Sequence, residues 1–238
     1  MMAEKENFYW WHIGRRAILN SILKRCLLKK DNFILDVGCG GGGNILFLKN
    51  FGSVSGIDAS VDAINFCKNK GFENLIMGTA ENIPCPNSFF DLVTAFDVLE
   101  HLEDDLIVLK EMKRIIKPGG LMMITVPAFP FLWSPHDNYL GHRRRYRKAA
   151  LLDQFVQSGL DIIESSYFII PTVPMIILRR FLEKFFKSKV KAHSFDIILP
   201  KWLNSIMIGW LKIETLFLKI FPVPLGSSLY VIAKKSNY

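Results

Sequence analysis

The stretch "LDVGCGGGGNILFL", residues 35–48, places five glycines in six consecutive positions directly after an apolar run. Glycine has no side chain, so it adopts left-handed backbone angles and lets another group approach the main chain closely. The apolar run before the glycines predicts a buried strand, and the spacing of apolar residues after them predicts a helix. A strand, a glycine-rich turn and a helix in this order predict a ligand-binding loop.

Strands and helices continue to alternate on both sides of this loop. Alternation of this kind predicts right-handed crossovers and a parallel sheet, so the predicted fold class is α/β. Strands are predicted in "NFILDV", "SVSGIDAS", "NLIMGT", "FFDLVTAF", "LMMITV", the region 160–170 and "SSLYVIAKK". Helices are predicted over 8–28, 44–51, 61–71, from Leu102 to the Pro118–Gly119 pair, and near 148–158. Residues 127–148 are predicted to form a long loop.

Composition bears on the cellular compartment and on the binding partners of the chain. The 238 residues carry a formal net charge of +8, which favours anionic partners such as phosphorylated substrates, nucleic acid or a membrane surface. The four cysteines form no C-x-x-C pair and have no histidine cluster at metal-ligand spacing, so no metal site is predicted. Reduced cysteines and the lack of a signal-peptide pattern predict a cytoplasmic protein, and no spanning helix is expected.

The glycine spacing fits two kinds of ligand. Gly38, Gly40 and Gly43 match G-x-G-x-x-G, the pattern of loops that hold the pyrophosphate of a dinucleotide. Gly42 in place of Gly43 gives G-x-G-x-G, a pattern of loops that hold S-adenosylmethionine (SAM). A glycine pattern alone therefore leaves the ligand open.

Two aspartates near the loop bear on this choice. Asp58, at the end of the second predicted strand, can accept hydrogen bonds from the ribose of either ligand. Asp36 discriminates, because a carboxylate beside the loop repels a pyrophosphate and attracts the ammonium and sulfonium groups of SAM. The alternative for Asp36 is a structural role in which it accepts hydrogen bonds from nearby backbone N–H groups.

Four motifs in order carry a resemblance to a known family. The segments "LDVGCGGGG", "GIDAS", "GTAENIPCPNSFFDLVTAFDVLEHLED" and "EMKRIIKPGGLMMITVP" resemble class I SAM-dependent methyltransferases over residues 30–127. The resemblance implies a Rossmann-like, mostly parallel sheet of seven strands with helices on both faces and an antiparallel last strand. It also implies SAM as cofactor and S-adenosylhomocysteine as product.

The same resemblance implies which residues hold SAM. The loop around Gly38 and Gly40 would line its methionine part, with Asp36 nearby, and Asp58 would hold the ribose. The implied adenine contacts are Ala59, Thr79, Ala80 and Glu81, and the implied contacts next to the methionine part are Phe96 and Asp97. Many family members have aspartate where this chain has Thr79, a weaker acceptor for the adenine amino group.

Residues after the fourth and fifth strands are candidates for the acceptor side. His101 and His142 are candidate catalytic bases, because a hydroxyl acceptor must lose a proton. Trp133, His136 and Tyr139 share a loop with the basic run "GHRRRYRK", and His136 is a further candidate base. Arg143 and Arg144 are predicted to clamp an anionic group on the acceptor. A solvated charge run and an RNA-binding patch are the alternatives.

Two segments lie outside the basic pattern of the single predicted domain, 1–238. Residues 1–30, with "FYWWHIGRR", resemble a helical lid in which Trp11 closes the pocket and Arg15 or Arg16 lies near the SAM carboxylate. Residues 171–224 form a hydrophobic helical insertion with lysines on a narrow stripe. The insertion is predicted to be a lid, a homodimer interface or an amphipathic surface on the inner face of a membrane.

The predicted function is SAM-dependent methyl transfer to a small or lipid-linked, anionic acceptor, at oxygen. The alternatives are an RNA methyltransferase and a nicotinamide-dependent oxidoreductase. Asp36 and the ordered motifs argue against the oxidoreductase. The segment "FDVL" stands where enzymes that methylate nucleobase or amide nitrogen carry N-P-P-[YF], which argues against nucleic acid as the acceptor.

Overall fold

A sheet of seven strands forms the centre of the molecule, in the order β3-β2-β1-β4-β5-β7-β6. The computed structural model describes residues 9–27, 31–186 and 199–236. The strands are β1 (Asn32–Val37), β2 (Gly52–Asp58), β3 (Leu75–Met77), β4 (Phe90–Phe96), β5 (Ile116–Pro127), β6 (Leu160–Phe168) and β7 (Ser228–Lys235). Strand β7 is antiparallel to β5 and β6, and the remaining pairs are parallel. The predicted fold class is confirmed.

Helices cover both faces of this sheet. They are α1 (Trp10–Cys26), α2 (Gly43–Leu48), α3 (Val61–Asn69), α4 (Asp105–Ile115), α5 (Pro135–Leu140), α6 (Lys148–Gln157), α7 (Thr172–Phe186) and α8 (Lys201–Phe217), with 3₁₀ turns at Leu99–His101 and Pro130–Leu132. Buried side chains of α1, α2, α3 and α8 form one core, and those of α4 and α6 form a second core on the opposite face. The strand order reverses between β1 and β4, where ligands bind in sheets of this kind.

The helix predicted from Leu102 begins later and ends earlier in the structure. The Asp104 side chain accepts hydrogen bonds from the N–H groups of Leu106 and Ile107, which caps α4 and fixes its start. Residues 116–120 are extended and belong to β5. Pro118 explains this end, because proline disfavours helical angles in the residue before it.

Residues 127–148 are not the structureless loop that the sequence predicted. They contain the 3₁₀ turn Pro130–Leu132 and helix α5, which begins with a capping box between Ser134 and Asp137. Gly141 ends α5 with a φ of 75°. The letters "SPHD" followed by glycine carry the signal for such a helix, since serine, proline, an acid three residues later and a final glycine are cap residues.

The insertion contains two helices with different contacts. Helix α8 packs along α1, where Gly14 faces Leu211 and the Asn204 side chain accepts a hydrogen bond from the Trp10 N–H at 2.9 Å. Helix α7 places Val173 against Leu132 of the loop after β5.

Parts of the predicted lid and insertion lie outside the described residues, namely 1–8, 28–30 and 187–198. Among the helices that the structure describes, none is long and apolar enough to cross a bilayer. The lid, dimer and membrane interpretations of these two segments therefore stay predictions.

Candidate functional site

The glycine loop turns sharply between β1 and α2. Gly38, Gly40 and Gly42 have φ angles of 68°, 49° and 77°, values that strain residues with a side chain. A Cβ atom on Gly38 would lie 2.5 Å from Val98, whereas a Cβ on Gly40 would meet no atom within 4 Å. Glycine is therefore needed at position 38 for two reasons, namely its positive φ and the close packing of Val98. Gly40 borders open space.

A cleft of about 450 Å³ opens at the carboxyl ends of β1, β2 and β4. This size lies within the range of small-molecule pockets, roughly 300–1,000 Å³. Eight predicted site residues line it: Gly38, Asp58, Ala59, Thr79, Ala80, Glu81, Asp97 and His101. Sequence reasoning missed other lining residues, among them Gly78, Val98 and Leu102.

Asp58 stands at the end of β2 and holds the glycine loop in place. One of its oxygens accepts a hydrogen bond from the Gly40 N–H, and the other accepts from the Ser60 N–H, both at 2.8 Å. Each carboxylate oxygen has a second lone pair, so Asp58 retains acceptor capacity toward the cleft. The arrangement suits a carboxylate that accepts from ribose hydroxyls while it fixes the loop.

Asp36 lies behind the glycine loop, is fully buried and is not part of the cleft wall. Its Oδ1 accepts a hydrogen bond from the Thr94 hydroxyl at 2.7 Å, and its Oδ2 has no hydrogen-bond partner. Burial raises the pKa of Asp36 to about 7, although Thr94 and the positive charge of Arg15 oppose the shift. A buried oxygen without a donor is unusual in a native protein and fits an absent cationic group.

Arg15 reaches from α1 to the carboxyl end of β4. Its Nη2 lies 2.7 Å from Asp97 Oδ2 and donates to the Thr125 hydroxyl at the same distance. Asp97 has a φ of 58°, and its Oδ1 accepts from that hydroxyl. The Nε of Arg15 is buried and has no partner, so this side chain offers one more donor to an anionic group.

Other predicted cofactor contacts lie further from the cleft. Phe96 is buried in the core, 6.0 Å from the Phe47 ring and beneath the Arg15 guanidinium. Trp11 lies against that same guanidinium, at 5.1 Å, and is not on the cleft wall. Both aromatic rings therefore support Arg15 in this structure.

His101 and His142 are brought together although they are far apart in the sequence. Their rings meet edge to face, with centroids 5.0 Å apart. His101 lines the cleft, while His142 lies behind it, with its Nδ1 3.0 Å from Asp137 Oδ1. Burial and the neighbouring His142 lower the pKa of His101, which favours a neutral imidazole.

Asp137 and Glu100 are acidic residues that sequence reasoning missed. Asp137 is buried, and although burial opposes ionisation, hydrogen bonds from His142 and Arg145 hold its pKa below the usual range. Glu100 is fully buried beside His142, and burial raises its pKa well above the usual range. The capping box gave a signal for Asp137, whereas nothing in the letters "LEH" indicates that Glu100 points inward.

The basic run contains three consecutive arginines, residues 143–145, and each of them lies close to an acid of the protein. Arg143 pairs with Glu103 at 2.9 Å on the surface, and Arg145 pairs with buried Asp137 at 2.7 Å. Arg144 donates to the carbonyls of residues 102 and 103. In this structure the run therefore braces the 3₁₀ turn that follows β4 and carries His101.

The remaining residues predicted for the acceptor lie beside the cleft rather than on its wall. Trp133 donates its indole N–H to Asn138, and the rings of His136 and Tyr139 stack with centroids 6.4 Å apart. Arg143 and Arg144 are likewise absent from the lining. The structure thus places seven of the ten predicted cofactor residues and His101 on the cleft wall, with His142 behind it, and it leaves the acceptor residues on the neighbouring loop.

Comparison with known sequences identifies the type of domain. Residues 35–124 match the family model described as a methyltransferase domain. Demethylmenaquinone methyltransferase from Staphylococcus aureus is 34% identical over 133 residues, which cover 50% of this chain and 55% of that relative. The chain thus spans about half the length of the curated relatives it matches.

Solved structures share the fold over most of the chain. A SAM-dependent methyltransferase from Thermotoga maritima has a TM-score of 0.63 and 17% identity, covering 99% of this chain and 96% of its own. Phosphoethanolamine N-methyltransferase 2 from Haemonchus contortus was solved in complex with SAM. It has a TM-score of 0.61 and 17% identity, and the match covers 92% of this chain and 52% of that protein. These likenesses show the fold, and the family match places a methyltransferase domain at residues 35–124.

Proposed function

We propose that this chain transfers the methyl group of SAM to an oxygen atom of a small, lipid-linked acceptor. The charge of the cleft is the observation that carries the choice of cofactor. Asp58, Glu81 and Asp97 line it, and among the described residues no lysine or arginine does. Each carboxylate near a cationic ligand contributes on the order of 1–4 kcal/mol of attraction near a protein surface, and the same charges repel a pyrophosphate.

The orphaned polar atoms behind the loop fit the methionine part of the cofactor. Asp36 and Arg15 lie behind the cleft wall, so Asp36 would favour the ammonium group through its charge, and the Arg15 guanidinium would favour the carboxylate in the same way. Asp58 would hold the ribose, and the segment 79–81 would flank the adenine. Bound SAM supplies a methyl group on a sulfonium leaving group. The protein then has to hold the acceptor in line with the methyl carbon and exclude water.

Oxygen is proposed as the methylated atom because of the histidine pair. A hydroxyl must lose its proton to become a good nucleophile. His101 lies on the cleft wall with a lowered pKa, and His142 supports it from behind. The proton of the acceptor hydroxyl would leave at this end of the cleft. Arg143, whose side chain is half exposed, and Arg144 would face an anionic group of the acceptor beyond the cleft.

A lipid-linked acceptor is proposed because of the outer face of α8. This face carries a continuous row of large apolar side chains, each more than half exposed: Trp202, Ile206, Trp210, Ile213 and Phe217. Lys201 and Lys212 are exposed on the same helix, and Lys219 is exposed just after it. Glu214, its one acidic residue, is turned inward and accepts hydrogen bonds from the N–H groups of residues 169 and 170. An apolar row flanked by cations and free of exposed acids suits an anionic bilayer surface.

The relative from Staphylococcus aureus also supports a lipid-linked acceptor, since its name gives a menaquinone precursor as its acceptor. The alternative of an RNA acceptor has less support, because "FDVL" stands at residues 96–99, where enzymes that methylate nucleobase nitrogen carry N-P-P-[YF].

Vesicle co-sedimentation tests the lipid proposal. The protein should pellet with vesicles that contain phosphatidylglycerol and stay in the supernatant with pure phosphatidylcholine, and added salt should weaken binding. Ile213→Glu, on the apolar row, should reduce the bound fraction at least fivefold, an order-of-magnitude expectation for a charge placed in an apolar interface.

Val156→Glu is the matched control, because Val156 is also an exposed branched residue on a helix, here α6. It should bind vesicles like the unaltered chain. Equal losses for both variants would contradict the proposal. A dimer in solution that Ile213→Glu separates would also contradict it, since a second copy of the chain would then cover the row.

A further inference from the structure

Three side chains of the types that bind metals converge beside the cleft. Glu100 and His101 lie on the 3₁₀ turn after β4, and His142 follows α5. One ligand atom from each lies within 4.8 Å of the other two. Metal–ligand bonds of about 2.0–2.2 Å hold neighbouring ligand atoms roughly 3–4 Å apart, so small side-chain rotations would close this cluster around one ion.

Glu100 is an independent sign of a missing cation. Its side chain is fully buried, and neither carboxylate oxygen has a hydrogen-bond partner. The Nε2 atom of His142 lies 3.9 Å from Glu100 Oε1, which is too long for a hydrogen bond. A buried acid without donors is costly, and native proteins satisfy such groups with a partner, a water or an ion.

His142 is oriented as metal-binding histidines are. Its Nδ1 faces the Asp137 carboxylate at 3.0 Å, and its Nε2 faces Glu100 Oε1 at 3.9 Å. Metal-bound histidines commonly donate their other ring N–H to a carboxylate in this way.

Nearby positive charges are already compensated. Arg15 and Arg145 act on Glu100 from a distance, but Arg15 is paired with Asp97 and Arg145 with Asp137. A cation placed between Glu100 and the two imidazoles meets no uncompensated positive group among the described residues.

We propose that Glu100, His101 and His142 bind one divalent transition-metal ion at the acceptor end of the cleft. Two imidazoles and one carboxylate favour Mn²⁺, Fe²⁺, Co²⁺ or Zn²⁺ over Mg²⁺ and Ca²⁺, which prefer oxygen ligands. Sequence reasoning predicted no metal because the ligands are far apart in the chain and lack a spacing motif.

The role of the ion rests on the proposed function. Three protein ligands leave coordination positions open, and His101 borders the cleft. An acceptor hydroxyl bound there would have a lowered pKa, as metal-bound water has. Its proton would pass to solvent, its oxygen would attack the methyl carbon, and the carbon–sulfur bond would break to release S-adenosylhomocysteine. The imidazoles then act as ligands rather than as bases.

Metal titration of the untagged, chelator-treated full chain tests the site without SAM or acceptor. Co²⁺ should bind at one equivalent and give visible absorption bands, and Mn²⁺ should bind at one equivalent by electron paramagnetic resonance. His101→Ala changes an exposed side chain and should weaken binding at least tenfold, an order of magnitude typical of disturbed metal sites. Glu100→Gln should weaken it as much.

His12→Ala is the matched control, because His12 lies on α1, outside the cluster, and it should bind metal normally. Circular dichroism establishes that each variant is folded. Absence of stoichiometric binding by the unaltered chain, or equal affinities in His101→Ala and His12→Ala, would overturn the proposal. Metal binding without any methyl transfer would support the site and contradict only the proposed function.

Discussion

The buried Asp36 carboxylate links the cofactor proposal to pH. One oxygen accepts from Thr94, the other has no partner, and Arg15 and Asp58 act on the group through their charges. With a pKa of about 7, Asp36 is mostly protonated in the ligand-free protein below that pH. A cationic ammonium group favours the ionised form, so ligand binding and proton release are coupled.

We therefore expect the affinity for SAM to rise with pH. Between about pH 5.5 and about pH 7.5 the association constant should increase on the order of tenfold, because the ionised fraction of Asp36 increases over that interval. Asp36→Asn should bind more weakly and show a flatter profile. Calorimetric titrations at several pH values measure both curves. Parallel curves for the two proteins would place the titrating group elsewhere.

At the scale of elements, the contact between α1 and α8 connects the insertion to the methyltransferase core. Gly14 allows the close approach, since a Cβ atom there would lie 2.0 Å from the Leu211 Cδ1 and 2.8 Å from its Cβ. Arg25, near the end of α1, donates to the carbonyls of residues 218 and 219 just after α8. Because α1 also carries Arg15, the position of α8 is coupled to the cleft.

Gly14→Ala should lower the free energy of unfolding by about 1–3 kcal/mol, the usual cost of overpacking a tight contact. Gly209→Ala is the matched control on α8, where an added Cβ meets no atom within 4 Å. That change should raise stability by about 0.5–1 kcal/mol, because alanine is favoured over glycine inside a helix. Denaturant unfolding measures both.

In a Leu211→Ala background the cost of Gly14→Ala should shrink, since the Cδ1 atom at 2.0 Å is gone and only the Cβ atom at 2.8 Å remains. An increase in stability for Gly14→Ala comparable to that of Gly209→Ala would contradict the packing of α8 on α1.

The elements whose signals are local were predictable from the sequence. Strands β1 and β4 read as apolar runs, and the glycine loop and Asp58 followed from their motifs. The start of α4 was misplaced because several acids near it could serve as the cap, and α5 was missed because a six-residue helix shows little periodicity. The cluster of Glu100, His101 and His142 was not predictable, since it depends on the tertiary position of two separate loops.

On the scale of the whole molecule, the three proposals rest on different parts of one fold. The carboxyl ends of β1, β2 and β4 form the acidic cleft, the turn after β4 and the segment after α5 carry Glu100, His101 and His142, and the insertion between β6 and β7 carries the apolar row. The net charge of +8 contrasts with the acidic lining of the cleft. The basic surface would therefore attract an anionic membrane or acceptor, while the cleft itself selects a cationic cofactor.

Calorimetric titration of the full chain with SAM and, separately, with NAD⁺ tests this account most directly. The acidic cleft predicts that SAM binds at one molecule per chain and that NAD⁺ gives no measurable binding heat. Asp58→Ala should weaken the binding of SAM by about 1.5–3 kcal/mol, as loss of a charged hydrogen-bond acceptor does. Saturable binding of NAD⁺ in the absence of SAM binding would contradict the assignment of the cleft.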